Sequence, residues 1–70
     1  MIPGDRNLVT EWLASHLVPT EGAYVFAYQV QNALLQDTGI YVSVTMLGHL
    51  VQARRAQSGI VLYLDRTLVP

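Results

Sequence analysis

Residues 39–50 of the chain read GIYVSVTMLGHL, and two arginines and an apolar run at 60–64 follow shortly afterwards. The leading glycine is a typical residue to end a preceding helix, and Ser43 is a typical N-cap for a new one. Apolar residues then recur at helical spacing, and the later apolar run has the length and composition of a strand. The stretch therefore predicts a turn, then a helix near 44–57 with a polar outer face and two arginines toward its C-terminal end, and then a strand near 60–64.

Two earlier segments also have helical periodicity. Apolar residues recur at helical spacing through residues 5–17, and Pro19 stops this helix by the residue before it. The segment 22–37 is apolar around much of its girth, as a central helix would be. Its first residues are also rich in strand formers, which leaves an extended first turn as an alternative. The apolar stripes predict a core made of Trp12, Leu13, Phe26, Val30, Leu34, Leu47, Leu50 and Val51.

The predicted fold is therefore mostly α with a short β element, built from three helices near 5–17, 22–37 and 44–57 and a strand near 60–64. The start of the third helix admits a second interpretation, because apolar and polar residues alternate there with the period of a strand. A strand at 40–44, a helix and the later strand would then form a right-handed parallel β-α-β crossover. Two strands alone are unstable in water, so this alternative needs strands from a second copy.

Length and composition restrict the classes of protein. Seventy residues predict one small domain, residues 1–70, and the absence of cysteine excludes a disulfide framework and a thiolate metal site. Apolar residues make up 51% of the chain and charged residues only 13%, against about 25% in an average domain. A thin core needs less apolar surface than this. The composition predicts either a tightly packed helical domain or a surface for self-association or for a partner.

Charge is divided unevenly along the chain. Residues 1–37 carry four acids and one arginine, a net charge of −3, whereas residues 38–70 carry three arginines and one aspartate, a net charge of +2. The total of −1 argues against strong non-specific binding of nucleic acid, which needs several phosphate contacts. The basic half is nevertheless suited to meet an anion or the acidic half of a second copy.

The order of helix, helix, short loop, capped helix and strand over residues 8–65 resembles the winged helix-turn-helix superfamily. The residues that carry the resemblance are Ser43, Leu47, Gly48 and Leu50. In that family the third helix enters the major groove of DNA, and a following β-hairpin, the wing, contacts the DNA backbone. The resemblance implies binding of double-stranded DNA, with hydroxyl and amide side chains for bases and arginines for phosphates. The residues implied are Ser43, Thr45, Met46, His49, Gln52, Arg54, Arg55 and Arg66.

Many winged helices bind proteins instead, and the aromatic residues favour this alternative. Tyrosines form a second stripe on the predicted helix 22–37, and aromatic side chains are favoured interface anchors. The strand at 60–64 has two apolar faces, of which one can pack on the helices and the other is left for a partner. The alternative function is a protein-interaction or self-assembly module, by itself or in a larger protein. Its candidate interface residues are Tyr24, Tyr28, Leu35, Val61 and Tyr63.

No pattern of residues predicts an enzyme, a metal site or a cofactor. His16 and His49 lack a second ligand at metal spacing, the acids form no paired motif, and no glycine-rich phosphate loop is present. The apolar runs are far shorter than the ~20 residues that span a bilayer, and no leader segment is visible, so the expected compartment is the cytoplasm. The expected partners are double-stranded DNA, a second copy of the chain or another protein, and not a membrane.

Overall fold

The computed structural model describes residues 3–70 as three helices and a three-stranded antiparallel sheet, an α+β fold. The elements in chain order are α1 (Pro3–His16), β1 (Leu17–Phe26), α2 (Ala27–Thr38), α3 (Val44–Leu50), β2 (Arg54–Arg55) and β3 (Val61–Leu68). The central strand is β3, with β1 on one side and β2 on the other. The prediction of a mostly α fold with one short strand was too helical, and the parallel β-α-β alternative is wrong because both strand pairs are antiparallel.

Much of the difference between prediction and structure lies in residues 17–26. They form β1 rather than the end of one helix and the start of the next, so α2 begins at Ala27 and not near 22. In β1, Val25 lies opposite Tyr63 of β3, and both side chains are buried. The strand formers in this segment stay extended because a partner strand is within reach, and local periodicity contains no information about that strand.

The third helix is shorter than predicted and is followed by a β-hairpin. It ends at Leu50 rather than near 57, because residues 54–55 are β2 and pair with the start of β3. The Gly59 N–H donates to the Ala56 carbonyl oxygen at 2.8 Å and closes the turn between the strands. Gly59 has a φ of 88°, a left-handed conformation that glycine adopts without steric cost. The predicted strand at 60–64 is thus the first part of a longer strand that completes this hairpin.

A bulge interrupts the pairing of β1 with β3. Pro19 lies opposite Arg66 and Tyr24 opposite Leu64. The four residues 20–23 of β1 therefore correspond to a single residue of β3, Asp65. Asp65 has a φ of 57°, and its Oδ1 accepts a hydrogen bond from the Gly22 N–H at 3.0 Å. The left-handed conformation of Asp65 bends β3 locally at the bulge, although the strand continues to Leu68.

The hydrophobic core lies between the helices and one face of the sheet, which we call the inner face. The predicted core residues that are buried are Trp12, Leu13, Val30, Leu34 and Leu47. Phe26, Leu50 and Val51 are only half-buried, because Phe26 lies on the opposite side of the sheet from the buried Val25 and α3 ends at Leu50. The buried residues that the prediction missed are Val9, Leu17, Val25, Ala27, Val42 and Tyr63.

Trp12 connects α1 to α2. Its Nε1–H donates to Asp37 Oδ2 at 2.6 Å, and its ring stacks on His16 with 4.3 Å between centroids. The His16 Nδ1–H in turn donates to the Trp12 carbonyl oxygen at 2.9 Å. These contacts hold the two helices together, and they give His16 a packing role in α1.

Candidate functional site

The segment before α3 is anchored to α2. The carbonyl oxygen of Val42, a buried residue, accepts a hydrogen bond from Gln31 Nε2 at 2.9 Å. Ser43 then caps the helix as predicted, since its Oγ accepts the Met46 N–H at 3.1 Å. The position of the first turn of α3 is therefore fixed by a buried side chain, a hydrogen bond from α2 and a cap.

Tyr63 connects the other end of α3 to the hairpin. Its side chain is only 1% exposed, and its hydroxyl donates to the Leu47 carbonyl oxygen at 2.7 Å. The same carbonyl accepts the Val51 N–H at 3.1 Å. Burial raises the pKa of Tyr63 to about 12, because the phenolate is poorly solvated in the core. The hydroxyl therefore remains protonated at neutral pH and keeps α3 in place against β3.

A shallow groove of about 170 Å³ lies between α3 and the hairpin. We call it the helix–hairpin groove. Its lining includes Thr45 and His49, one turn apart on α3, and Arg54 and Arg55 of β2. All four side chains belong to exposed residues. The structure thus brings together four of the residues predicted to contact DNA, two of them polar and two of them cationic.

A second groove of about 350 Å³ adjoins the first, and Arg54 lines both. We call it the arginine groove. It is lined by Val51, Gln52, Arg54, Leu64, Asp65 and Arg66. Two further predicted contacts, Gln52 and Arg66, therefore lie beside Arg54. Asp65 reduces the positive charge of this groove, although its Oδ1 also holds the Gly22 N–H of the bulge.

Ser43 lies apart from both grooves. It lines a third depression, of about 160 Å³, together with Tyr41, Val42 and Met46. Its oxygen already accepts the capping hydrogen bond, but a hydroxyl that accepts can still donate its own proton. Ser43 and Met46 are therefore the members of the predicted DNA-contact set that the structure separates from the arginines.

The hairpin also restrains one of its arginines. The Arg55 Nη1–H donates to the Gly59 carbonyl oxygen at 3.0 Å, across the turn of the hairpin. A guanidinium has about five N–H donors, so this bond leaves others for a ligand. The contact holds the Arg55 charge beside the turn, so that binding a ligand there would cost less side-chain entropy.

The uneven charge of the sequence is also uneven in space. The two long helices carry Asp5, Glu11 and Asp37 with a single arginine, Arg6. The hairpin carries three arginines and one aspartate, a net charge of +2. Positive charge is thus concentrated next to α3, where the predicted DNA contacts lie.

The candidate interface residues occupy different environments. Tyr24 and Tyr28 are 60% and 58% exposed, and Leu35 is exposed two turns beyond Tyr28 on α2. Val61 is half-buried. Tyr63 faces the helices, so its prediction as an interface residue is corrected to a core residue that holds α3.

A further group of surface residues emerges from the strand register. Tyr24 lies opposite Leu64 and Phe26 opposite Leu62, on the face of the sheet that points away from the helices. Phe26 contacts Tyr24 edge to face at 5.5 Å between centroids and stacks on Tyr28 at 5.6 Å. We call these five residues the outer apolar face. Phe26 was predicted to lie in the core, because the sequence pattern of this segment is that of a helix rather than of a strand.

Comparison of the chain with protein-family models, curated proteins and solved structures found no match. Within residues 3–70, none of the helices combines the length and apolarity needed to cross a membrane.

Proposed function

We propose that this chain is a small winged-helix domain that binds double-stranded DNA through α3 and the β2–β3 hairpin. The observation that carries the proposal is the helix–hairpin groove, whose lining includes Thr45 and His49 of α3 together with Arg54 and Arg55 of β2. A wing needs two strands after the third helix, and the antiparallel pairing of β2 with β3 supports this assignment. In this arrangement the helix reads bases while the hairpin contacts the backbone.

The exposed side of α3 has the chemistry for base contacts. Thr45, His49 and, just beyond the helix, Gln52 offer hydroxyl, imidazole and amide groups. Such groups can bond to base edges in the major groove, and a glutamine can pair bidentately with adenine. The seven residues of α3 are about 10 Å long, which spans roughly three base pairs. One copy would therefore read a short sequence with modest specificity.

The arginines have the chemistry for phosphate contacts. One copy offers Arg54, Arg55 and Arg66 near α3, which gives a slope of log affinity against log salt of about −2.7 if all three reach phosphates. Two copies on one duplex would give a slope no steeper than about −5. Binding is therefore expected to be weak to moderate at low salt and to fall steeply as salt is added.

Fluorescence anisotropy with a mixed-sequence duplex at low salt tests the proposal. Replacing Arg54→Gln and Arg55→Gln together should weaken binding to all sequences alike and reduce the salt slope by about 2. Arg6→Gln is the control, because Arg6 is exposed on α1 outside both grooves and should bind like the wild type. Replacing His49→Ala or Gln52→Ala should instead change which sequence is preferred. An absence of binding at tens of micromolar protein would overturn DNA binding.

A protein-interaction module is the second candidate function. The exposed side chains of Tyr24 and Tyr28 favour it, since tyrosines are common anchors of protein interfaces. If the folded wild type shows no affinity for DNA, and the variant with both arginines replaced gives the same anisotropy signal, this function is supported over the first.

A further inference from the structure

We infer that the outer apolar face of the sheet is a docking surface for a second copy of the chain, with the two sheets packed face to face about a twofold axis along β3. The inference does not depend on DNA binding, and its tests contain no DNA. It follows from the composition of this face, its area and the distribution of charge at its two edges.

The composition of the outer apolar face is unusual for a sheet with one side on the core. Such sheets normally alternate apolar residues inward with polar residues outward. Here Leu62 and Leu64 flank the inward-facing Tyr63 on β3 and therefore point outward. Their partners on β1 are Phe26 and Tyr24, which are aromatic. The four side chains, with Tyr28 stacked on Phe26, form a continuous apolar surface.

The area of this surface fits a weak dimer. Tyr24 and Tyr28 are 60% and 58% exposed, which corresponds to roughly 250 Å² for the two rings together. Leu64 is 45% exposed and extends the surface along β3. Two such faces with their rims would bury an area below the roughly 1,200 Å² that separates weak from standard interfaces. A second copy is therefore expected to associate in the micromolar range rather than permanently.

The first complementarity between two copies is that of aromatic rings and a guanidinium, which lie in one row of side chains across the three strands. Phe26 of β1 and Arg54 of β2 both lie directly opposite Leu62 of β3, so the three side chains share the outer side of the sheet. A twofold axis that runs parallel to β3, midway between the two sheets, puts β1 of one copy over β2 of the other. Arg54 of each copy then lies over the aromatic rings of the other, where a guanidinium is attracted, and the two Leu62 side chains meet at the centre.

The second complementarity lies in the charges at the edges. Glu21 is exposed in the bulge next to Tyr24, at the β1 edge. The arginine groove, with Arg54 and Arg66, lies at the β2 edge beyond Leu64. The same axis brings Glu21 of each copy over the arginine groove of the other. A second copy thus matches both edges at once, whereas a partner of uniform charge would match only one.

The first experiment measures the oligomeric state of the whole chain by sedimentation velocity from low micromolar to millimolar concentration. The wild type should shift from monomer to dimer, and Tyr24→Ser should raise the dissociation constant about tenfold or more. Tyr41→Ser is the matched control, because Tyr41 is 70% exposed and lies before α3, outside the outer apolar face. A wild-type monomer at all concentrations, or an equal effect of the two substitutions, would overturn the inference.

The second experiment tests the twofold arrangement through its charges. Glu21→Arg and Arg66→Glu should each weaken the homodimer, because each puts like charges opposite one another at both edges. An equimolar mixture of the two variants should recover a dimer of wild-type affinity, since opposite charges then meet at both edges of a mixed dimer. Recovery also shows that both variants are folded. If the mixture remains as monomeric as the separate variants, the proposed arrangement is wrong.

Discussion

The two faces of the sheet have nearly the same chemistry but different surroundings. On the inner face Val25 and Tyr63 are buried under the helices, whereas on the outer face their neighbours Tyr24 and Leu64 are exposed. Because both faces are apolar, burial would stabilise either of them. The topology decides that the helices of one chain can cover only one of them. The inner face therefore contributes to folding, whereas the outer face is available for the proposed association, and paired substitutions can measure the difference.

The free energy of unfolding should differ most between Tyr63→Ala and Tyr24→Ala. Truncating the buried ring should lower the free energy of unfolding by about 3–5 kcal/mol, through a cavity in the core and the loss of its hydrogen bond to α3. Truncating the exposed ring should change it by about 1 kcal/mol or less. Denaturant melts, at concentrations low enough for the protein to be monomeric, measure both values. Equal losses would mean that the two faces do not differ in burial.

Alkaline pH should weaken the packing of Tyr63 on the inner face. The pKa of Tyr63 is about 12 in the folded chain and about 10 in the unfolded chain. The stabilisation is fully present below pH ~10, and it is lost as the pH rises toward ~12, because the unfolded chain releases the proton first. The loss should be roughly 3 kcal/mol in equilibrium unfolding, from two pKa units at about 1.4 kcal/mol each. Tyr63→Phe removes this titration and should flatten the pH dependence, and an unchanged slope in that variant would assign the effect to another group.

At neutral pH, Tyr63→Phe should have the smallest measurable effect. It removes one hydrogen bond to the Leu47 carbonyl oxygen, which still accepts the Val51 N–H. The expected cost is about 1 kcal/mol. Tyr24→Phe is the matched control on the outer face and should change stability by less than about 0.5 kcal/mol. A larger cost for Tyr24→Phe would indicate a role in folding for the outer hydroxyl.

The sequence predicted the helices better than the strands. Gly39 and Ser43 act as the expected cap residues, and α3 begins at Val44 as predicted. The start of α2 was misplaced by five residues, because Ala23 to Phe26 have the composition of a strand and the pattern of a helix. The end of α3 was missed for a related reason. Arg54 and Arg55 have no intrinsic strand preference, and they are extended because they pair with β3.

The candidate site was predictable where it depended on one helix. Thr45 and His49 are one turn apart, so their common exposure follows from helical spacing. Their proximity to Arg54 and Arg55 depends on a hairpin that folds back beside α3. Tyr63 was predicted to face a partner, because the apolar run 60–64 does not indicate which of its two faces the helices cover. Phe26 was assigned to the core because a helical pattern places it with Val30 and Leu34, whereas in a strand it lies on the opposite side from the buried Val25.

The sequence by itself determined the number and order of the helices, the cap at Ser43 and the division of the chain into an acidic and a basic half. These properties depend on residues within a few positions of one another, so local spacing and composition contain them. Only the tertiary structure decided that β1 and β2 are strands and that Tyr63 points inward while Tyr24 points outward. Strand pairing joins residues that are distant in the chain, and each backbone bond of a strand is made with a partner rather than with its own segment.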